Sequence, residues 1–379
     1  MRTEIYPTQT KPVESTLGKR ERDFYIDCLR TVMIALVILL HTAIIYGAWG
    51  DFAYHERRPS ATLSSVILKL FASTNQAYLL GFLFLLAGYF TPGSLERKGY
   101  ARFLSDRFLR LGLPLLGFGL IYGALSGKIF VTGLLWFLEA LLMFSLAYCG
   151  WRAWFGAPLA SAQRVPRPVP RYSLWLLSAL GVSAAALGVR QVVPATGVDI
   201  TVWELRYFPS YIFLFSLGIA AWRHDWLRQL KWEHARPWII TLAVAWPSFP
   251  VVMLVTSVIG PGKSNSSGSL SWAAIHFAFW EPFIAFWEPF IAWGLIAGWL
   301  LLFRRYMNRP SSIWAWLNRR SYAVYIIHAI LLVGISQHLL SGWAAPALVK
   351  FAVTGTLACA TSWILADPLV RMPGLRRIV

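Results

Sequence analysis

FYIDCLRTVMIALVILLHTAIIYG, residues 24–47, decides the fold class. A helix needs about 20 mostly apolar residues to cross the hydrocarbon core of a bilayer. This stretch supplies them, and its only charged or imidazole side chains are Asp27, Arg30 and His41. Working outward from it, nine more stretches of the same kind follow: Leu63–Phe90, Phe108–Leu125, Phe130–Gly150, Tyr172–Val189, Tyr207–Trp222, Trp238–Ile259, Trp272–Phe303, Tyr322–Leu339 and Ala345–Ala366. The second and eighth are long enough to tilt, break or begin outside the bilayer. Composition agrees. Hydrophobic residues make up 57% of the 379 and charged residues 14%, against about 25% charged in soluble domains, so the chain lacks the polar surface for a water-facing globule of its size. The expected fold is all-α, a polytopic membrane helix bundle of about ten transmembrane helices. Disorder is excluded by the same numbers, and three cysteines form no disulfide framework.

The formal charge of +18 raises the question of nucleic acid. No basic helix or run of the kind that tracks phosphates occurs, so no nucleic-acid partner is expected. The Lys and Arg fall in short segments between apolar stretches instead. With Arg110 counted in the second connection and Lys350 in the ninth, both tails and the even-numbered connections hold 26 of them and the odd-numbered connections hold 7, which leaves Arg30 and Lys69 inside spans. That alternation is what the positive-inside rule predicts for ten helices with both termini cytoplasmic. The organisation read from it is a cytoplasmic tail over residues 1–23, a membrane domain over 24–366 and a cytoplasmic tail over 367–379. No cleavable leader is expected, because a polar tail precedes the first apolar stretch. The longest connection, Trp151–Arg171, is Pro- and Arg-rich, so chemistry is expected inside the bundle or at its mouths.

One repeat stands out. FWEPFIA at Phe279–Ala285 recurs at once as Phe286–Ala292. Seven residues are close to two helical turns, so the copy keeps its face to within about 20°. The expected outcome is a tandem duplication absorbed by a long helix, with Glu281 and Glu288, and His276 before them, at the interface rather than in the chemistry.

Charge near the bilayer centre costs about 2.5–3.5 kcal/mol per residue, so each buried case requires a reason. In the first span Arg30 and His41 are eleven residues apart. That is three turns plus about 20°, hence one face, with roughly 16 Å between them along the axis. Asp27 belongs to the same stripe, where an i, i+3 ion pair with Arg30 is feasible. In the ninth span Ser321, Tyr325 and His328 form a second stripe, with Tyr322 beside it. Glu139 stands in the expected middle of the fourth span, where it either pairs with Arg30 or a histidine or is protonated and inert. Arg102, Arg107 and Arg110 precede Pro114 at the membrane mouth. Guanidinium forks suit phosphate oxygens, although plain positive-inside charge accounts for Arg102. No phosphate loop, zinc-ligand spacing, Rossmann fingerprint or nucleophile elbow is present, and no metal or permanently bound cofactor is expected. On these residues alone, an enzyme and a transporter or flippase that uses the buried charges as a relay are equally open. A membrane scaffold would leave the Arg30/His41 stripe without a task.

Taken in order, the motifs resemble the membrane-bound acyltransferase-3 family, in particular its stand-alone glucan-modifying members. Asp27-Cys-Leu-Arg30 followed by ten residues and His41 is similar to the family's Arg-x10-His signature. Phe84-Leu-Leu-Ala-Gly-Tyr-Phe90 resembles its Phe-x-x-Ser-Gly-Phe/Tyr, with Ala87 in place of the serine. Arg107-Phe-Leu-Arg-Leu-Gly-Leu-Pro114, Leu135-Trp-Phe-Leu138 and Ser321-Tyr-x-x-Tyr-x-x-His328 follow, and Asp367-Pro368 stands where many members have Glu-Pro. The resemblance covers nearly the whole chain, and the FWEPFIA duplication is not part of the family pattern.

The resemblance implies transfer of an acyl group, acetyl or succinyl, from cytoplasmic acyl-CoA as co-substrate to a hydroxyl of an extracytoplasmic glycan or similar acceptor, in a bacterial inner membrane. The expected roles follow. His41 is the general base, since imidazole titrates near neutrality. Arg30, paired with Asp27, orients the first helix or stabilises charge on the donor. Arg107 and Arg110 hold coenzyme A phosphates, and Glu139, Tyr325 and His328 line the cavity. An acyl-histidine intermediate and homo-oligomerisation are left open.

Overall fold

The computed structural model describes residues 23–47, 52, 54–56, 62–125, 133–156, 165–193, 204–259 and 279–375. Among these the secondary structure is helical, with no strand. In chain order the helices are α1 (Phe24–Tyr46), α2 (Leu63–Arg107), α3 (Leu113–Leu125), α4 (Trp136–Phe155), α5 (Tyr172–Val192), α6 (Phe208–His224), α7 (Trp232–Ala245), α8 (Ser248–Ile259), α9 (Glu281–Tyr306), α10 (Ser312–Gly334) and α11 (Ala347–Arg371). A π-helical turn, Phe108–Gly112, joins α2 to α3, and a single turn, Trp226–Gln229, precedes α7.

Seven segments among the described residues are long and apolar enough to cross a membrane, so this is a multi-pass membrane protein. The difference from ten has identifiable causes. The expected second and third spans run on as one helical stretch, Leu63–Ile121, broken by Gly99, whose φ of 71° is open to glycine alone at low cost. The fourth is present as the 20 residues of α4, diluted by Glu139 and Arg152. The sixth is the 17 residues of α6, too short on its own. α7 and α8 together make the seventh, Trp232–Thr256. The eighth is described from Phe279, so its expected start at Trp272 lies outside the described residues, as does most of the N-terminal tail.

In lipid the hydrophobic effect does not press helices together, so close backbone contact and polar cross-ties carry the packing. The α2/α6 contact shows the first. A Cβ on Gly88 would collide with the Phe215 carbonyl, and one on Gly218 with the Leu85 carbonyl. The glycine of Phe84–Phe90 is therefore a packing requirement. Contacts also set helix direction. Gly88 lies against Phe215 and Gly93 against Trp222, so α2 and α6 are parallel. Arg30 meets Asn318 and His41 meets His328, so α1 and α10 are parallel. Trp287 bonds the Ala245 carbonyl while Gly294 touches Trp238, so α9 runs against α7. Arg190 reaches Glu288 while Ser178 reaches Trp293, so α9 also runs against α5. Strict alternation of the ten expected spans, not of the seven segments above, gives these directions.

Candidate functional site

α1 supplies the core of the bundle, with Tyr25, Leu29, Met33, Ile38 and Tyr46 fully buried. Its polar stripe is turned toward α10. Two clusters result, one at each end of this parallel pair.

The first surrounds Arg30. Asp27 lies 3.5 Å from the guanidinium, as the i, i+3 spacing predicts. The principal partner is one that the sequence reading missed. Asn318 Oδ1 accepts from Arg30 Nε at 3.2 Å and Nη2 at 2.7 Å. One turn further, the Thr31 and Ser321 hydroxyls are hydrogen-bonded at 3.2 Å. Nothing in the α10 sequence distinguishes Asn318 as functional, because an Asn among the arginines at a helix entrance reads as interfacial. Nearby, Arg320 makes two hydrogen bonds to Asp367, one of 2.6 Å from Nε, and Arg371 approaches the other carboxylate oxygen at 2.8 Å. The shorter acid of Asp367-Pro368 thus clamps α11 to α10.

The second cluster surrounds His41. Its ring is stacked between Phe52, centroids 4.7 Å apart, and His328, at 5.6 Å with 17° between planes. His41 Nδ1 is buried with no hydrogen-bond partner among the described residues, and the same holds for His328 Nε2. His328 Nδ1 lies 2.6 Å from the Tyr325 carbonyl. A carbonyl only accepts, so Nδ1 carries the hydrogen and Nε2 of the neutral ring is the accepting nitrogen. Tyr325 packs its ring on His328 and on Phe137, at 5.6 and 5.7 Å. Phe137, from the Leu135–Leu138 motif, thus reaches the histidine pair through Tyr325, and Trp136 packs behind it.

The other expected site residues are placed as follows. Arg107 lies over the Phe103 ring at 4.8 Å and donates to the Thr91 hydroxyl at 3.5 Å. Arg110 is exposed, and its carbonyl accepts from the Tyr322 hydroxyl, which ties α10 to the α2/α3 turn. Both sit at the end of the bundle that carries Arg30. Glu139 is in the first turn of α4, not mid-helix, because the helix begins at Trp136 after a turn at Gly133–Leu135. Among the described residues no group of His, Cys, Asp or Glu is arranged to hold a metal.

The expectation for the duplicated heptad requires correction. Glu281 and Glu288 are buried, not interfacial. Arg206 is hydrogen-bonded to Glu281, and Arg190 reaches Glu288 at 2.6 Å and Glu281 at 3.8 Å. Arg206 also donates to the Val193 carbonyl at 2.9 Å, and Arg190 lies over the Tyr207 ring at 5.1 Å. Each copy of the heptad therefore contributes one carboxylate, and each carboxylate has its own arginine. The quartet connects to the aromatic residues of α4 through Tyr207, which lies under Arg190 and stacks on Tyr211 at 6.2 Å. Buried Glu204 accepts from the Tyr211 hydroxyl at 3.0 Å, and Tyr211 stacks on Trp136 at 5.8 Å. The available signal was numerical, since two arginines flank the α5–α6 connection and two acids repeat on α9. His276 lies outside the described residues.

Residues 23–367 match the family model Acyl_transf_3, described as an acyltransferase domain. No curated protein and no solved structure matches.

Proposed function

For a chain that belongs to the acyltransferase-3 family, we propose an integral membrane O-acyltransferase that moves an acyl group from cytoplasmic acyl-CoA to a hydroxyl of an extracytoplasmic glycan or related acceptor. The observation that carries this reading is the polarity of the α1/α10 pair. A guanidinium cluster stands at one end and, at the other, a histidine whose Nδ1 has no hydrogen-bond partner among the described residues. Roughly 16 Å separates them along α1, given about 1.5 Å of rise per residue. The charge alternation, together with the helix directions, supports ten passes with both termini cytoplasmic, in a bacterial inner membrane.

In this reading Arg107 and Arg110, at the basic mouth, bind the coenzyme A phosphates through charge-assisted hydrogen bonds. Arg30, held by Asn318 and Asp27, orients the donor. The acyl thioester reaches His41 along α1. His41 removes the proton from the acceptor hydroxyl, whose oxygen attacks the thioester carbonyl carbon. The C–O bond forms, the C–S bond breaks, and coenzyme A leaves as the thiolate, which takes up a proton. His328 and Phe52 fix the plane of the His41 ring, and Tyr325 with Phe137 and Trp136 walls the acyl group from water. Holding both reactants at one nitrogen supplies much of the rate enhancement through positioning.

The test is mass spectrometry of surface and periplasmic glycans from cells producing the wild type or His41→Ala at matched levels. The reading expects an acyl mass increment with the wild type alone, and its size identifies the group. Acyl transfer by the alanine variant at undiminished rate would sink it.

A further inference from the structure

Away from the histidine pair, the bundle contains a narrow cleft of about 90 Å³. It is bounded by α2, α5, α6, the Trp226 turn, α7 and α9, with no residue from α1, α10 or α11. Trp175, Trp226, Trp238, Trp293, Leu217 and Leu300 form most of its wall. Three of the four indoles turn their polar edges away. Trp175 Nε1 donates to the Pro170 carbonyl at 3.0 Å, Trp226 Nε1 to the Arg167 carbonyl at 3.1 Å, and Trp293 Nε1 to the Ser178 hydroxyl at 3.1 Å. A confined water needs about two to four polar partners, and apart from the indoles His234 is the one polar side chain in this wall. The natural filling is hydrocarbon.

The cleft is also held open. Arg304 Nη1 donates to the carbonyls of Leu227 at 2.9 Å and Arg228 at 3.0 Å, and Nη2 to that of Leu230. This braces the turn that forms one wall. The 165–170 strap is fixed to Trp226 and to His224, whose Nδ1 lies 2.8 Å from the Val165 carbonyl. Around the mouth, exposed Arg167, Arg171, Arg223, Lys231 and Arg236 outnumber the acids Asp225 and Glu233. Within the wall, Trp238 Nε1 is buried with no acceptor among the described residues.

We propose that this cleft holds one acyl chain of an anionic glycerophospholipid, with the headgroup phosphate on the basic rim. The absence of α1 and α10 from its walls separates it from the reacting acyl group. The lipid therefore acts as a bound structural ligand of the α5/α6/α7/α9 wall, and the inference does not depend on the proposed transfer chemistry.

The experiment uses the full chain in phosphatidylcholine nanodiscs containing a minor share of phosphatidylglycerol with a diazirine in one acyl chain. Irradiation is followed by peptide mass spectrometry. The expected result is labelling of the Trp226–Leu230 and Trp293–Leu300 segments several-fold above the exposed face of α3 at Leu116 and Leu120. Ala297→Trp, which fills the cleft, should remove that excess and leave the α3 labelling intact. Should the tryptophan variant misfold, Ala297→Leu should lower the excess in part, while Leu120→Trp on the outer face should not. An unlabelled phosphatidylglycerol competitor should displace the probe better than phosphatidylcholine. Labelling no higher than on α3, indifference to the filling variants, or displacement by long-chain acyl-CoA in preference to phosphatidylglycerol would each overturn the proposal.

Discussion

Removing Arg190 should damage the protein more than removing the glutamate it binds best. The four side chains Arg190, Arg206, Glu281 and Glu288 are buried. Arg190 has Glu288 at 2.6 Å and Glu281 at 3.8 Å, so Coulomb attraction at an effective dielectric near 20 is about 6 and about 4 kcal/mol before desolvation is subtracted. Glu288→Gln leaves Arg190 the Glu281 carboxylate and an amide oxygen, and should cost about 1–2 kcal/mol. Arg190→Met removes the salt-bridge partner of Glu288 and leaves it only the more distant Arg206, and a buried charge so under-compensated costs about 3–5 kcal/mol. The double variant Arg190→Met/Glu288→Leu removes both charges and should return to within about 1–2 kcal/mol of wild type, since apolar replacement of a whole buried pair is often neutral. Free cysteines provide the assay in a Cys359→Ala background, because Cys359 is partly exposed whereas Cys28 and Cys149 are buried and unpaired and react with a fluorogenic maleimide only on unfolding. Midpoints are compared at one heating rate, because unfolding of such proteins is kinetically controlled. Equal midpoints for Arg190→Met and Glu288→Gln, or a double variant as unstable as Arg190→Met, would refute the reasoning.

Asn318→Leu should lower acyl transfer by about 100-fold, the scale of a misplacement of roughly 1 Å in a catalytic assembly, with membrane protein levels unchanged. Asn318→Asp, which keeps an acceptor for Arg30, should retain most activity in the same glycan assay. Gly88→Val should destabilise the α2/α6 contact by about 1–3 kcal/mol or more, seen as a lower maleimide midpoint. Glu56→Gln should lower that midpoint more than a typical surface change, because it removes the carboxylate partner, 2.9 Å away, of the fully buried Lys350.

Much of the candidate site was legible along single helices. Arg30 and His41 share a face because eleven residues make three turns, and Ser321, Tyr325 and His328 share one for the same reason. The charge alternation was equally legible, because a Lys or Arg contributes to it by position along the chain alone. Glu139 was misplaced only because the start of α4 depends on the turn at Gly133, which apolar content does not reveal.

What lay beyond the sequence was pairing between helices. That His328 stacks on His41, that Asn318 holds Arg30, and that the repeated glutamates are buried against Arg190 and Arg206 are contacts between residues 75 to 288 positions apart. Periodicity gives the face of a helix and the hydropathy of that face, but it does not identify the neighbour. In a membrane this gap widens, because a lipid-facing stripe and a helix-facing stripe are equally apolar, and packing is settled by backbone approach and polar cross-ties. The cleft behind Trp175 and Trp293 follows the same logic. Its residues read as ordinary membrane sequence, and only the tertiary structure turned three of their indole N–H groups outward and enclosed an apolar space between them.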